Sequence, residues 1–275
     1  MLFMEPNQTP YDLRWTMFGI SVRIHPMFWL VNVFMGLSAL RMGVQYLLIW
    51  VGCVFVSILI HELGHVWMGQ AFGSRGHIVL YGFGGLAIGS NQLERRWQRV
   101  AVSFAGPMAG FVFLGIVFLG VWIWNADHIP YFVFVSMLDF GVPLDQLDAL
   151  MEIRTVPNVL MDFVVRDLVF INLLWGLVNL LPVWPLDGGQ ISKEICETLS
   201  PDSGLTNALG LSMVVAGLLA AHCLLVVLGK QLVPVPIGST YTAILFAVLA
   251  VQSFQLMQQA QSQDRWRGDS WDDRY

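Results

Sequence analysis

The stretch ILIHELGHVWMG, residues 58–69, decides how this sequence is read. Between Tyr46 and Phe72 the one Asp, Glu, Lys or Arg is Glu62, and everything around it is apolar. An ionised side chain in the middle of a bilayer-spanning helix costs roughly 2.5 to 3.5 kcal/mol on insertion, so such residues usually have a task. His61 and His65 flank Glu62 at a spacing of one helical turn, which projects both imidazoles from one face. This is the HExxH pattern, in which two histidines hold zinc and the glutamate takes a proton from the water that zinc activates. In a soluble chain three fixed positions in five arise often by chance. Inside an apolar span, a purely structural reading leaves two histidines and a glutamate without an electrostatic reason to be there.

The composition extends the same reading to the whole chain. Of 275 residues, 56% are hydrophobic and 12% are Asp, Glu, Lys or Arg, about half the charge of an ordinary soluble domain at roughly 25%. Too little polar surface remains to cover a water-soluble globule, so the expected solvent is lipid. A net charge of −5 and the lack of a basic run argue against a nucleic-acid partner. Cys53, Cys196 and Cys223 fit neither a disulfide framework nor a CxxC metal pair.

Gaps between charges mark six spans near residues 26–42, 46–71, 99–124, 163–183, 206–229 and 237–257. The expected fold is therefore an all-α polytopic bundle of about six transmembrane helices. Glu5 and Asp12, with no small-residue cleavage site before the first span, make that span an uncleaved anchor rather than a signal peptide. Ten Lys and Arg residues fall on the side of the N-terminus and four on the other, which places both termini in the cytoplasm. The loop from 125 to 162, with Asp127, Asp139, Asp145, Asp148 and Glu152 against Arg154, then lies outside. One membrane domain over 1–257 with a core near 46–190 is expected, followed by a polar, flexible cytoplasmic tail at 258–275.

A catalytic zinc site needs a third protein ligand and one open position. The candidate lies in NLLPVWPLDGG, Asn179–Gly189, where Pro182 and Pro185 cannot continue a regular helix and the chain should unwind to direct Asp187 inward. Spans two and four run in the same direction, so His61, His65 and Asp187 belong to the same leaflet. A plain exit loop is the competing reading. Asn179 is more ambiguous: an amide in lipid can bind a neighbouring helix, or can hydrogen-bond a substrate backbone or a developing oxyanion.

An intramembrane HELGH with a downstream NxxP and LDG resembles the site-2 protease family of intramembrane zinc metalloproteases. GISVRIHPMF before the first span is similar to that family's N-terminal motif, YGFGGLA to its Gly-rich hairpin, and FAGPMAG to its AGP motif. The resemblance implies one Zn2+ per chain bound by His61, His65 and Asp187, with Glu62 as general base. It also implies hydrolysis of peptide bonds in transmembrane protein substrates, in a bacterial or archaeal cytoplasmic membrane. Two departures stand out: Gly110 occupies a place where the AGP motif often continues with Asn, and no segment resembles a PDZ or CBS domain.

Physical reading of the remaining motifs is consistent with this. HIVLY and GLAIG, joined through Gly82, Phe83 and Gly84, predict a re-entrant β-hairpin whose edge can hold an unwound substrate by strand addition. A surface turn without a substrate role is the alternative. Ile20, Val22 and Ile24 alternate with Ser21, Arg23 and His25, predicting a strand along the membrane surface. Ala105, Gly106, Ala109 and Gly110 carry the small-residue spacing of close helix packing, with no catalytic role assigned. Asp162 and Arg166 predict an interfacial pair. Two other classes place HExxH at a membrane. A zinc transporter needs a ligand relay for which only His222 lies in another span. A CAAX-type protease takes a glutamate as third ligand, which would be Glu194 or Glu197.

Overall fold

A computed structural model of the chain describes residues 5–82, 84–124, 158–230 and 238–272. The expected outside loop at 125–157 and Phe83 of the hairpin turn lie outside the described residues. In chain order the elements are β1 (Leu13–Met17), β2 (Ile20–Ile24), α1 (Pro26–Met35), α2 (Val44–Ala71), β3 (His77–Tyr81), β4 (Gly84–Ile88) and α3 (Arg96–Trp124). Then come α4 (Val159–Asn179), α5 (Asp187–Leu199), α6 (Gly204–Val227) and α7 (Thr240–Asp272).

The helices fall where the apolar spans are. Among the described residues α2, α3, α6 and α7 are long and apolar enough to cross a membrane. α1 has ten residues and gives way to a 3-10 turn at Ala39–Arg41 before residue 42 is reached, short of the roughly 20 residues a crossing takes. α4 has 21 residues but carries Asp162, Arg166 and Asp167 in its first turns. Arg166 Nε donates to Asp162 Oδ2 at 2.8 Å, the pair expected from their spacing. α7 continues beyond the apolar stretch, through Asp272. The distribution of polarity is inverted relative to a soluble protein. Val112, Ile116, Leu119 and Ile123 of α3 are exposed, while Ser57, Asn172, Ser212 and Ser253 are buried. Only a hydrocarbon solvent makes that arrangement favourable. The chain is a polytopic helical membrane protein with a small sheet.

It forms two compact units, residues 1–178 and 179–275. In the first, the strands form one sheet in the order β1-β2-β3-β4. β1 and β2 are an antiparallel hairpin closed by Phe18 and Gly19, both with positive φ. β2 pairs parallel with β3, with Val22, Arg23 and Ile24 opposite Ile78, Val79 and Leu80. β3 and β4 are the expected antiparallel hairpin, with Tyr81 opposite Gly84 and His77 opposite Ile88. The strand expected to lie along the membrane surface is thus an inner strand of a four-stranded sheet. Its alternation is real: Ile20, Val22 and Ile24 are at most 2% exposed and pack with Ile78, Leu80, Phe28 and, on α2, Val54 and Ile58.

Arg23 leaves the alternation for an electrostatic reason. It is buried, and its guanidinium donates to Asp12 Oδ2 at 3.0 Å, Glu5 Oε1 at 2.7 Å and the Pro6 carbonyl at 3.1 Å. Burial opposes ionisation of Asp12, but the hydrogen bonds from Thr9 and Arg23 outweigh it and hold the carboxyl well below the usual carboxylate range. Residues 5–12 are thereby tied to β2.

In the second unit α5 packs on α6, and α6 on α7. The sequence reading did not contain α5. Gly188 and Gly189 read as a turn, yet they form its first turn behind Asp187.

Candidate metal centre

α2 carries the HExxH segment without a break, so the one-turn spacing of the histidines becomes real geometry. His61 and His65 are buried, and their Nε2 atoms lie 3.1 Å apart with the rings nearly perpendicular at 78°. Two nitrogens bound at about 2.0 to 2.1 Å to one tetrahedral zinc would be separated by about 3.3 Å, so the observed spacing fits a shared metal ion. His65 Nδ1 lies 2.7 Å from the Val102 carbonyl of α3. A carbonyl can only accept, so Nδ1 holds the proton and Nε2 presents its lone pair. This is the outer contact that usually orients a metal-bound histidine.

Glycines shape the space around these side chains. A Cβ on Gly106 would overlap the His65 ring at Nε2, and one on Gly85 would lie 2.5 Å from Glu62 Oε1 and still closer to its Cγ. A Cβ on Gly64 would stand 2.5 Å from the Ala105 carbonyl. The small residues of α3 therefore do bring α2 and α3 together, as their spacing predicts. Gly106 in addition makes room for a ligand ring, a role that spacing does not reveal. Glu62 is buried beneath β4, covered by the bare backbone of Gly85. Where β4 begins, Gly84 faces Trp175 of α4. A small cleft is lined by His61 together with Ser57, Gly110, Asn172 and Trp175, among others. Asn172 Nδ2 donates there to Ser57 Oγ at 2.9 Å, and a Cβ on Gly110 would lie 3.5 Å from Asn172 Oδ1. An amide from α4 thus stands beside Gly110, the position at which this chain departs from the Asn often found in the AGP motif.

In the second unit the chain leaves α4 at Asn179, which is buried, and turns through LLPVWPL. The Val183 N–H bonds the Leu181 carbonyl at 2.7 Å and the Leu186 N–H bonds the Val183 carbonyl at 2.8 Å. Asp187 follows as a buried carboxylate in the first turn of α5, where the helix dipole favours negative charge. The chain does turn out of the helix after the fourth span, and Asp187 is buried. Glu194, the rival ligand, is also buried on α5, and Glu197 lies 3.8 Å from Lys193.

Comparison with known proteins places this geometry in context. The chain is 26% identical over 226 residues to a zinc metalloprotease of Methanocaldococcus jannaschii, covering 78% of this chain and 57% of that one. It is 27% identical over 184 residues to the stage IV sporulation protein FB of Bacillus subtilis, covering 65% and 48%. It spans about half the length of these relatives. Among solved structures it resembles the site-2 protease from Methanocaldococcus jannaschii, at 21% identity and a TM-score of 0.48 over 89% of this chain and 94% of that one. Residues 49–221, which contain HELGH, FAGPMAG and PLDGG, match the profile of peptidase family M50, and the chain belongs to that family.

Proposed function

We propose that the protein is an intramembrane zinc metalloprotease that hydrolyses peptide bonds within or near the transmembrane segments of other membrane proteins. The observation that carries this reading is the 3.1 Å approach of His61 and His65 Nε2 beside the buried Glu62, on a helix apolar enough to span a bilayer. His61, His65 and Asp187 are the proposed ligands. Two imidazoles and a carboxylate, all buried, are a donor set that hydrolytic zinc sites use. Zinc, when bound, supplies Lewis-acid polarisation of the scissile carbonyl and lowers the pKa of water toward ~7.

The residues of the chain do the rest. Glu62 takes the proton of the attacking water and delivers it to the leaving amine, so one carboxylate serves as base and then as acid. Asn179 offers an amide to the substrate backbone or to negative charge developing on its carbonyl oxygen. A helical substrate keeps its own backbone hydrogen bonds and must be unwound before water can attack. β4 supports that step: it is the terminal strand of the sheet, and its Gly85 backbone lies against Glu62. An extended segment added to β4 would run past the general base. Within this reading residues 1–257 act as one protease domain in a bacterial or archaeal cytoplasmic membrane. Both termini and the site face the cytoplasm, and residues 258–275 form a polar cytoplasmic tail.

The test is cleavage of model transmembrane peptides by the protein purified in detergent, with parallel metal analysis. About one zinc per chain is expected. Activity should be lost on chelation, and lost with zinc retained in Glu62→Gln. Stoichiometric zinc without cleavage of any membrane substrate, together with zinc flux in proteoliposomes, would overturn the reading in favour of transport.

A further inference from the structure

The two C-terminal helices carry buried polar groups that the proposed chemistry leaves unused. Ser212 of α6 and Ser253 of α7 are 1% and 0% exposed. Their hydroxyl oxygens lie 2.7 Å apart, and Ser253 donates to the Leu249 carbonyl at 2.9 Å. That bond uses the one proton of Ser253, so the proton between the serines belongs to Ser212. Ser212 Oγ then accepts from the Trp184 backbone N–H at 2.7 Å. A directed row of hydrogen bonds thus runs from α7 through α6 into the loop before Asp187.

Trp184 is the sensitive point of that loop. Pro182 and Pro185 have no N–H to give. The Trp184 nitrogen also bears on the first turn of α5, because a Cβ on Gly189 would lie 2.6 Å from it and 2.5 Å from the Val183 carbonyl. Gly189 is two residues past Asp187, so the amide that Ser212 holds is the one on which the helix bearing the carboxylate is seated.

We propose that Ser212 and Ser253 are positioning residues for the Asp187 ligand loop, so that α6 and α7 help set metal affinity. This rests on Asp187 being a zinc ligand. Ser253 lies beyond residue 221, where the family match ends, so its role is not carried by that match.

The experiment measures zinc affinity by chelator competition, and the visible spectrum of the cobalt-substituted protein, in the full chain in detergent. Loss of a contact that orients a metal ligand typically weakens binding about 10- to 100-fold. Ser212→Ala should show such a loss with a shifted cobalt band. Ser253→Ala should move both in the same direction by less, since the Trp184–Ser212 bond remains. Because the serines act in series, the double variant should match Ser212→Ala. Gly217→Ala on α6, whose added methyl meets nothing within 4 Å, should leave zinc and cobalt readouts unchanged. Ser212→Ala with zinc affinity within twofold of the parent, while Asp187→Asn loses zinc, overturns the proposal and leaves the ligand assignment standing. Asp187→Asn that keeps zinc overturns the assignment itself. Should Ser212→Ala not fold, Ser253→Ala decides: unchanged zinc affinity there refutes the proposal.

Discussion

Gly106→Ala isolates the claim that α3 shapes the metal site. The added methyl would overlap His65 Nε2 and stand 2.8 Å from Cδ2 of the same ring. Carbon–nitrogen contacts settle near 3.5 Å, so the ring or the helix must yield by roughly 1 Å. Neither can do so cheaply. The ring is tethered through Nδ1 to Val102, one turn before Gly106 on the same helix. α3 cannot retreat uniformly either, because Gly64 and Ala105 hold the two backbones in close contact. Overpacking of this kind costs about 1 to 3 kcal/mol. A 1 Å error at a reacting group costs about 100-fold in rate. We therefore expect kcat/KM toward a transmembrane peptide to fall about 100-fold or more, with zinc bound more weakly and stability reduced. Gly115→Ala, on the same helix with nothing within 4 Å of the new methyl, should be silent in rate. Wild-type turnover and zinc content in Gly106→Ala would refute the reasoning.

Gly85→Ala tests the general base separately from the metal. Its methyl would meet the Glu62 side chain, so turnover should drop at least tenfold while metal analysis still finds about one zinc per chain; parallel loss of zinc would show that β4 supports the ligands instead. The Asp12 carboxyl gives a pH test. Its pKa is depressed on folding, so its contribution is complete above the ordinary carboxylate pKa of about 4 and is lost as pH falls through the lower folded value. Limited proteolysis near Arg14 should therefore be unchanged from pH 7 to about 4.5 and rise in stronger acid. Release of the N-terminal segment already at pH 6 would contradict the Arg23–Asp12 anchor.

The residues that were legible in the sequence are those whose meaning is local. HELGH needs only the helical period to bring two imidazoles together, and a long apolar run fixes both the helix and its solvent. The β3–β4 hairpin follows from Gly82 and Gly84 between two short apolar stretches. β1 was hidden because its two-residue turn puts Phe18 at φ 52° where Asn or Gly is the usual sign. The parallel pairing of β2 with β3 joins residues 22–24 to 78–80, and no local pattern announces such a contact. α5 was missed for a different reason. Its two glycines imitate a breaker, although they are required because a side chain at Gly188 would strike the Leu180 and Leu181 carbonyls and one at Gly189 the Val183 carbonyl. Gly106 was read as packing alone, since spacing along α3 cannot say that a histidine of α2 fills the place of the missing methyl.

The proposed hydrolysis in lipid would need water and charge where the solvent favours neither, and the fold confines its polarity to narrow tracks. On α2 the track runs from Ser57, bonded to Asn172, to His61, Glu62 and His65, all buried between helices whose outer faces are apolar. The sheet adds something that helices cannot supply. A spanning helix has no free backbone donors or acceptors to offer a substrate, whereas β4 ends its sheet and lies over Glu62. In the proposed reaction, backbone hydrogen bonds lost when a substrate helix unwinds would be remade with β4, beside the Glu62 carboxylate. The Arg23 anchor, by fixing residues 5–12 to β2, holds the sheet from the side opposite β4. Rigidity at that end is useful because a 1 Å displacement of Gly85 would be transmitted directly to Glu62.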